Sequence, residues 1–201
     1  KLDYYGSWLE LSSSSEYAYI TVYSLNKYLA KTLEVVESMI KEPVFPEKEL
    51  HTILDTNIQQ YLVNTSKVDF LAHRGLLQAL YGTQHPCGQL VVEEDYHALT
   101  PQVLRAFYGR HYHSGNCSIF LSGKVTEDII RRVTGAFGTP FGQYQLKASK
   151  PIFSFVAVPE KRIFIEREDA LQSAVKMGCT TITRQNPDYL KLRVLMQLFG
   201  G

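Results

Sequence analysis

Cysteine is scarce in this chain. Only Cys87, Cys117 and Cys179 occur, odd in number and far apart, which provides neither a disulfide framework nor a C-x-x-C zinc knuckle. A surplus of charge is also missing. The 21 basic and 20 acidic residues leave a formal charge of +1, so there is no electrostatic footprint for nucleic acid or an anionic membrane. No apolar run reaches the roughly 20 residues that a membrane helix requires, and no short-period repeat is visible. The chain opens at Lys1 without a methionine or a signal-like region, and an amphipathic helix runs straight into Gly200-Gly201. Both ends look cut, so the sequence reads as an internal fragment, with room upstream for a targeting signal.

What is present is enough apolar material, 45%, for a real core in about one domain and part of a second. Residues 7–12 and 16–24 read as two strands. In the second, Ala18, Ile20 and Val22 alternate with Tyr17, Tyr19, Thr21 and Tyr23, and the serines between the strands are turn material, which predicts an antiparallel hairpin. Asn26 is placed to cap a helix to about Lys41 with a stripe of Leu29, Leu33, Val36 and Ile40. Pro43 and Pro46 break that helix. A weak capping pattern at Ser66 and Asp69 opens another helix, to about Tyr81. Thr100-Pro101 and Thr126 start two more, the second closed by Gly138. Residues 116–122 predict a strand with Cys117, Ile119 and Leu121 inward. Residues 138–150 are polar and irregular and suggest a domain boundary. Strands are expected at 151–158, 162–166 and 171–182, and a final helix after Asn186-Pro187. Adjacent strands with helices in runs argue for an α+β layer fold.

Pro46 to Tyr61 carries the most information about function. Proline suits a first helical position, where its missing N–H costs nothing. Glu47 and Glu49 meet the positive end of the helix dipole. Leu50, Ile53, Leu54, Ile58 and Tyr61 recur every three or four residues as a buried stripe.

Several stretches, taken in order, resemble the pitrilysin/insulinase family of zinc metallopeptidases, the inverzincins. They are the strand pair at 2–23, P-V-F-P-E-K-E-L at 43–50, H-P-C-G at 85–88, and L-T-P-Q-V-L-R-A-F-Y-G-R-H-Y at 99–112. That last run continues into N-C-S-I-F-L-S-G-K-V at 116–125 and A-F-G at 136–138. Q-S-A-V-K-M-G at 172–178, N-P-D-Y-L-K-L-R-V-L at 186–195 and F-G-G at 199–201 look like the start of a second, similar domain. The resemblance implies a largely antiparallel sheet with helices packed on one side. It implies most of one domain over 1–145, lacking its first strand and metal helix, and a linker and the start of another domain over 146–201.

Active members of that family carry H-x-x-E-H on a helix. Histidines one turn apart ligate zinc, the glutamate activates water, and a third ligand is a glutamate in E-R-x-x-V-x-x-E on a later helix. This sequence has no H-x-x-E-H. With Phe45 and Leu50 setting the register, the two glutamate positions of the later helix fall at Ile53 and Gln60. Neither is acidic, and a neutral amide is a poorer zinc partner than a carboxylate. The resemblance therefore implies a degenerate site at Gln60 and Ile53, no catalytic or metal-ligating residue, no cofactor in this chain although active members hold zinc, and no activity of the chain by itself.

The remaining candidates have plainer readings. His51 and Asp55 mimic a metal spacing but lack a second histidine. His111-x-His113 falls at a helix-to-strand turn, where no metal is expected. His85 reads as a loop hydrogen-bonding residue, His73 and His97 have no partner pattern, and Cys117 reads as a small buried hydrophobe. Thirteen tyrosines could wall a peptide site but more often pack strand and helix edges. Asn64-Thr65-Ser66 and Asn116-Cys117-Ser118 match glycosylation tripeptides, which are common by chance.

The function this implies is a non-catalytic domain of a pitrilysin-like assembly, contributing to a peptide-binding chamber. Its expected partners are a peptide substrate and a catalytic subunit or domain of the same family, with no nucleic acid and no membrane span. The alternatives are an active zinc endopeptidase whose H-x-x-E-H helix lies upstream and a non-proteolytic assembly protein.

Overall fold

The computed structural model describes residues 1–14, 17–142, 159 and 162–199. Its elements are β1 (Trp8–Ser13), β2 (Ala18–Tyr23), α1 (Leu29–Lys41), α2 (Glu47–Thr65), α3 (Val68–Tyr81), α4 (Glu93–His97), α5 (Pro101–His111), α6 (Glu127–Phe137) and α7 (Tyr189–Leu198), with short 3-10 turns at Asp3–Tyr5, Asn26–Tyr28 and Ser114–Asn116. The fold is α+β, rich in helix. Its chain divides into two compact units, residues 1–61 with 91–152 and residues 62–90 with 153–201.

In the first unit the predicted hairpin is present. β1 and β2 pair antiparallel from Trp8 opposite Tyr23 to Ser13 opposite Ala18. Because strand side chains alternate, Leu9 and Leu11 share a face with Val22 and Ile20, while Trp8, Glu10 and Ser12 share the other with Tyr23, Thr21 and Tyr19. The base of the hairpin is fastened to α1 by three hydroxyls. Ser7 Oγ lies 2.8 Å from Thr32 Oγ1 and 3.1 Å from Ser24 Oγ, and Ser24 Oγ lies 2.9 Å from Thr32 Oγ1. Thr32 also donates to the Tyr28 carbonyl. Ser7 and Thr32 are almost fully buried, so each hydroxyl finds in another the partner that water would supply.

The apolar core of this unit is where α1 meets α6, with Val36, Val133 and Ala136 buried. α6 forms as its sequence predicts: Thr126 accepts from the Ile129 N–H, Glu127 and Asp128 occupy the first turn, and the Gly138 N–H closes on Thr134. α5 likewise starts at Thr100, which accepts from the Val103 N–H ahead of Pro101. α5 is then tied to α1. The Tyr108 hydroxyl donates to the Ile40 carbonyl and Arg105 to the Val44 carbonyl. Phe45, wedged between the two prolines, has φ of +47°, a region where a residue with a side chain is strained. Its ring packs 5.9 Å from that of Tyr108.

In the second unit α3 bears residues of the segment 162–182. A side chain at Gly75 would press on the tip of Ile165, and Gly178 lies against Leu76. Lys176 pairs with Asp69 at 2.6 Å. The loop after α3 turns back on itself, with Gly88 so close to Gly82 that a Cβ would stand 2.0 Å from the Gly82 carbonyl oxygen.

Several expectations are corrected. Residues 117–122 and the segment 162–182 enter no β-ladder, and among the described residues β1–β2 is the one sheet. An apolar alternation makes a strand only where a partner edge meets it in register. The strand expected at 151–158 lies outside the described residues. Ile119, Leu121 and Cys117 are exposed rather than inward. Ile53 leaves the expected buried stripe and is 58% exposed, while Leu50, Leu54, Ile58 and Tyr61 remain half-buried. Asn26 does not cap α1; it donates to the Lys124 carbonyl. Ser66 does not cap α3, because its hydroxyl donates back to Val63 at the end of α2. Nothing in the sequence reading anticipated α4, whose signal was Asp95 accepting from the Val92 N–H three residues before it.

Candidate functional site

α2 is the element that places the two positions of interest. Its mid-helix polar residues spend their donors on the helix itself: Thr52, Thr56 and Asn57 each donate to the carbonyl four residues back, at 3.1, 2.9 and 2.7 Å. Leu50, Leu54, Ile58 and Tyr61 form the half-buried side, with the Tyr61 ring 5.8 Å from that of Tyr96. Ile53 and Gln60, two turns apart, share an exposed flank of the helix, about 110° round from that side. The structure therefore brings these two residues onto one helix face. Asp55 and His51, one turn apart from each other, lie on a different part of the surface.

The zinc that the resemblance implies would need charged oxygen or imidazole donors. Ile53 offers an alkyl chain and Gln60 a neutral amide. Among the described residues no three His, Cys, Asp or Glu side chains come together to hold a metal ion. The residues present do not fit the metal.

The other candidates are dispersed. His85 does what a loop residue does: its Nδ1 accepts from the Cys87 N–H at 3.1 Å, its carbonyl accepts from Gly88 and Gln89, and its ring stacks on Tyr81. His111 is exposed at the end of α5 with its ring 4.5 Å from Phe107. His113 is buried, and the Ser114 N–H beside it donates to the Phe141 carbonyl. Two residues apart in sequence, these histidines occupy opposite environments. Although Cys117 is exposed as a residue, partial burial of its thiol pushes the pKa up, which disfavours the thiolate a nucleophile needs. Asn64 sits in the last turn of α2. Asn116 lies in a 3-10 turn, where its amide donates to the His111 carbonyl.

The tyrosines split into two populations that sequence could not separate. Tyr61, Tyr96, Tyr108 and Tyr112 are half-buried packing residues, and burial raises the pKa of Tyr108. Tyr17, Tyr19 and Tyr23 stand exposed on or beside the hairpin together with Trp8. Period-2 alternation assigns side chains to a face but does not say which face is covered.

Three comparisons bear on the chain as a whole. A family model described as the peptidase M16 inactive domain matches residues 98–201. Mitochondrial-processing peptidase subunit alpha-1 of Dictyostelium discoideum is 28% identical over 149 residues, 72% of this chain and 23% of that protein. The chain thus spans about a quarter of the length of this relative. A crystal structure of a peptidase M16 inactive domain from Pseudomonas fluorescens superposes with a TM-score of 0.63 at 23% identity, covering 75% of this chain and 38% of that one; at that identity the likeness speaks for the fold. Among the described residues no helix is long and apolar enough to cross a membrane.

Proposed function

Since the chain belongs to the peptidase M16 family and matches its inactive domain, we propose that it is the non-catalytic part of a two-part peptidase, walling a chamber in which a peptide is held while a catalytic partner cuts it. What supports this is the exposed α2 face with Ile53 and Gln60, an alkyl group and an amide at positions that the resemblance reads as those of two acids. A domain that has lost the donor set but kept the fold serves through its surfaces. The exposure of many large apolar side chains, including Leu11, Ile119, Leu171 and Leu198, supports a role in which another polypeptide or domain covers them. The name of the Dictyostelium relative, a subunit, points the same way. In this reading residues 1–145 are most of one domain and residues 146–201 begin the next, zinc belongs to the partner alone, and peptide is the substrate of the assembly.

The test is reconstitution. The chain is mixed with an M16 polypeptide that carries H-x-x-E-H, and both are assayed on an unstructured peptide. The expected result is co-elution, zinc at one per complex, and cleavage abolished by substituting the partner's motif but unaffected by Gln60→Ala here. Zinc bound stoichiometrically by this chain alone and lost on Gln60→Ala overturns the proposal.

A further inference from the structure

Phe45 is, among the described residues, the one other than glycine with a positive φ. It also stands directly before Pro46, and a proline drives the residue ahead of it toward extended backbone with negative φ. A bulky side chain in this position is doubly disfavoured, and such a conformer persists only where its surroundings impose it. The surroundings come from one face of α5. Arg105 and Tyr108 are three residues apart and so neighbours on the helix surface. Arg105 Nη2 donates to the Val44 carbonyl at 3.1 Å, and the Tyr108 hydroxyl donates to the Ile40 carbonyl. The Tyr108 ring meets the Phe45 ring edge to face, with planes at 62°. The two carbonyls bracket the turn. Ile40 lies in the last turn of α1, where the helix leaves its carbonyls without internal partners.

Little else on the described chain fixes this turn. The Val44 side chain is 72% exposed, and α2 has no fully buried residue along its length. Pro43 and Pro46 have φ locked near about −65° by their rings, so Val44 and Phe45 are the pivots at which the heading of α2 is set. We infer that the α1–α2 turn is a latched hinge: α5 holds Phe45 in its strained conformer through Arg105 and Tyr108, and loss of those holds returns Phe45 to negative φ and swings α2, with the flank of Ile53 and Gln60, to a second heading from α1. Strain favours release and the α5 contacts oppose it. Both hydrogen bonds end on neutral carbonyls and one starts from an exposed guanidinium, so each is modest in net worth. The two opposed contributions are of similar size, which is the condition for two states rather than one.

Nuclear magnetic resonance on the full chain tests both halves of the hinge. The amide–Hα Overhauser effect within Phe45 is strong where φ is positive and weak where it is negative. Residual dipolar couplings of the α1 and α2 amides report the angle between the helices. The native chain is expected to show the strong effect. Arg105→Ala, at an exposed side chain that the fold tolerates losing, is expected to reduce it to about half, as two states of similar free energy share the population. Adding Tyr108→Phe is expected to abolish it and to shift the α2 couplings as a block while those of α1 stay. A weak effect in the native chain overturns the strained conformer. A strong effect that survives in Arg105→Ala and in the double variant overturns the latch, since the turn would then hold itself. Loss of the effect with unchanged α2 couplings overturns the hinge, because the turn would relax without redirecting the helix.

Discussion

The smallest feature with a measurable consequence is the ring of Ser7, Ser24 and Thr32. Three hydroxyls share their protons among themselves and the carbonyls of Tyr28 and Leu25. Thr32→Val keeps the shape and removes one member. It leaves the almost fully buried Ser7 hydroxyl with Ser24 as its remaining partner in the ring, and an under-satisfied buried polar group costs about 1–3 kcal/mol. Urea unfolding of the variant is expected to show a loss in that range with an unchanged slope. Had the three been ordinary surface hydroxyls, the midpoint would not move. This ring was not legible in the sequence. Ser7 and Ser24 lie at strand ends and Thr32 in a helix, 25 residues from Ser7, and no local pattern links them. Gln60 and Ile53 are a different case. The resemblance, with its register set on Phe45 and Leu50, reads them as two acid positions, but whether they face solvent did not follow. Ile53 fits an apolar stripe by spacing and nonetheless stands outside it.

At the scale of elements, local chemistry was readable where a helix carries its own start signal. Thr100-Pro101 and Thr126 each place an oxygen within reach of an N–H three residues on, and α5 and α6 begin there. Where the signal depends on a competing use of the side chain, it misled: Asn26 and Ser66 have cap chemistry but spend it elsewhere. Strand periodicity at 117–122 and 162–182 predicts side-chain alternation and cannot predict a partner, which is a matter of tertiary assembly. The α1–α6 contact is the element pair with most at stake, because the buried apolar residues of the first unit lie there. Val133→Ala removes two methyl groups from a site 8% exposed and is expected to lower stability by about 1–3 kcal/mol, below the range for leucine truncations because fewer atoms go. Ile130→Ala, just under one helical turn away, on a side chain 43% exposed, is the control, and a smaller loss is expected there. Thermal unfolding followed by far-UV circular dichroism compares the two; equal losses would show that α6 does not face α1 through Val133.

At the scale of the whole molecule, few apolar side chains are buried and many are exposed among the described residues, and in the proposed assembly a partner polypeptide covers them. Burial depends on tertiary contacts that no local pattern records, which is why sequence resemblance, carried by motifs spread over most of the chain, indicated the family better than residue patterns indicated burial. The hydrogen bond from Tyr108 to the Ile40 carbonyl adds a consequence in alkali. Burial holds the Tyr108 phenol above its ordinary value of 10.0, so the folded state resists losing that proton more than the unfolded chain does. The contribution of this bond is complete below pH 10 and drains away as pH rises through the folded value, because a phenolate has no proton to donate and repels the carbonyl it faced. The first unit should therefore loosen in base along the seam between α1 and α5, and Tyr108→Phe, which has no proton to lose, should flatten that part of the alkaline stability profile.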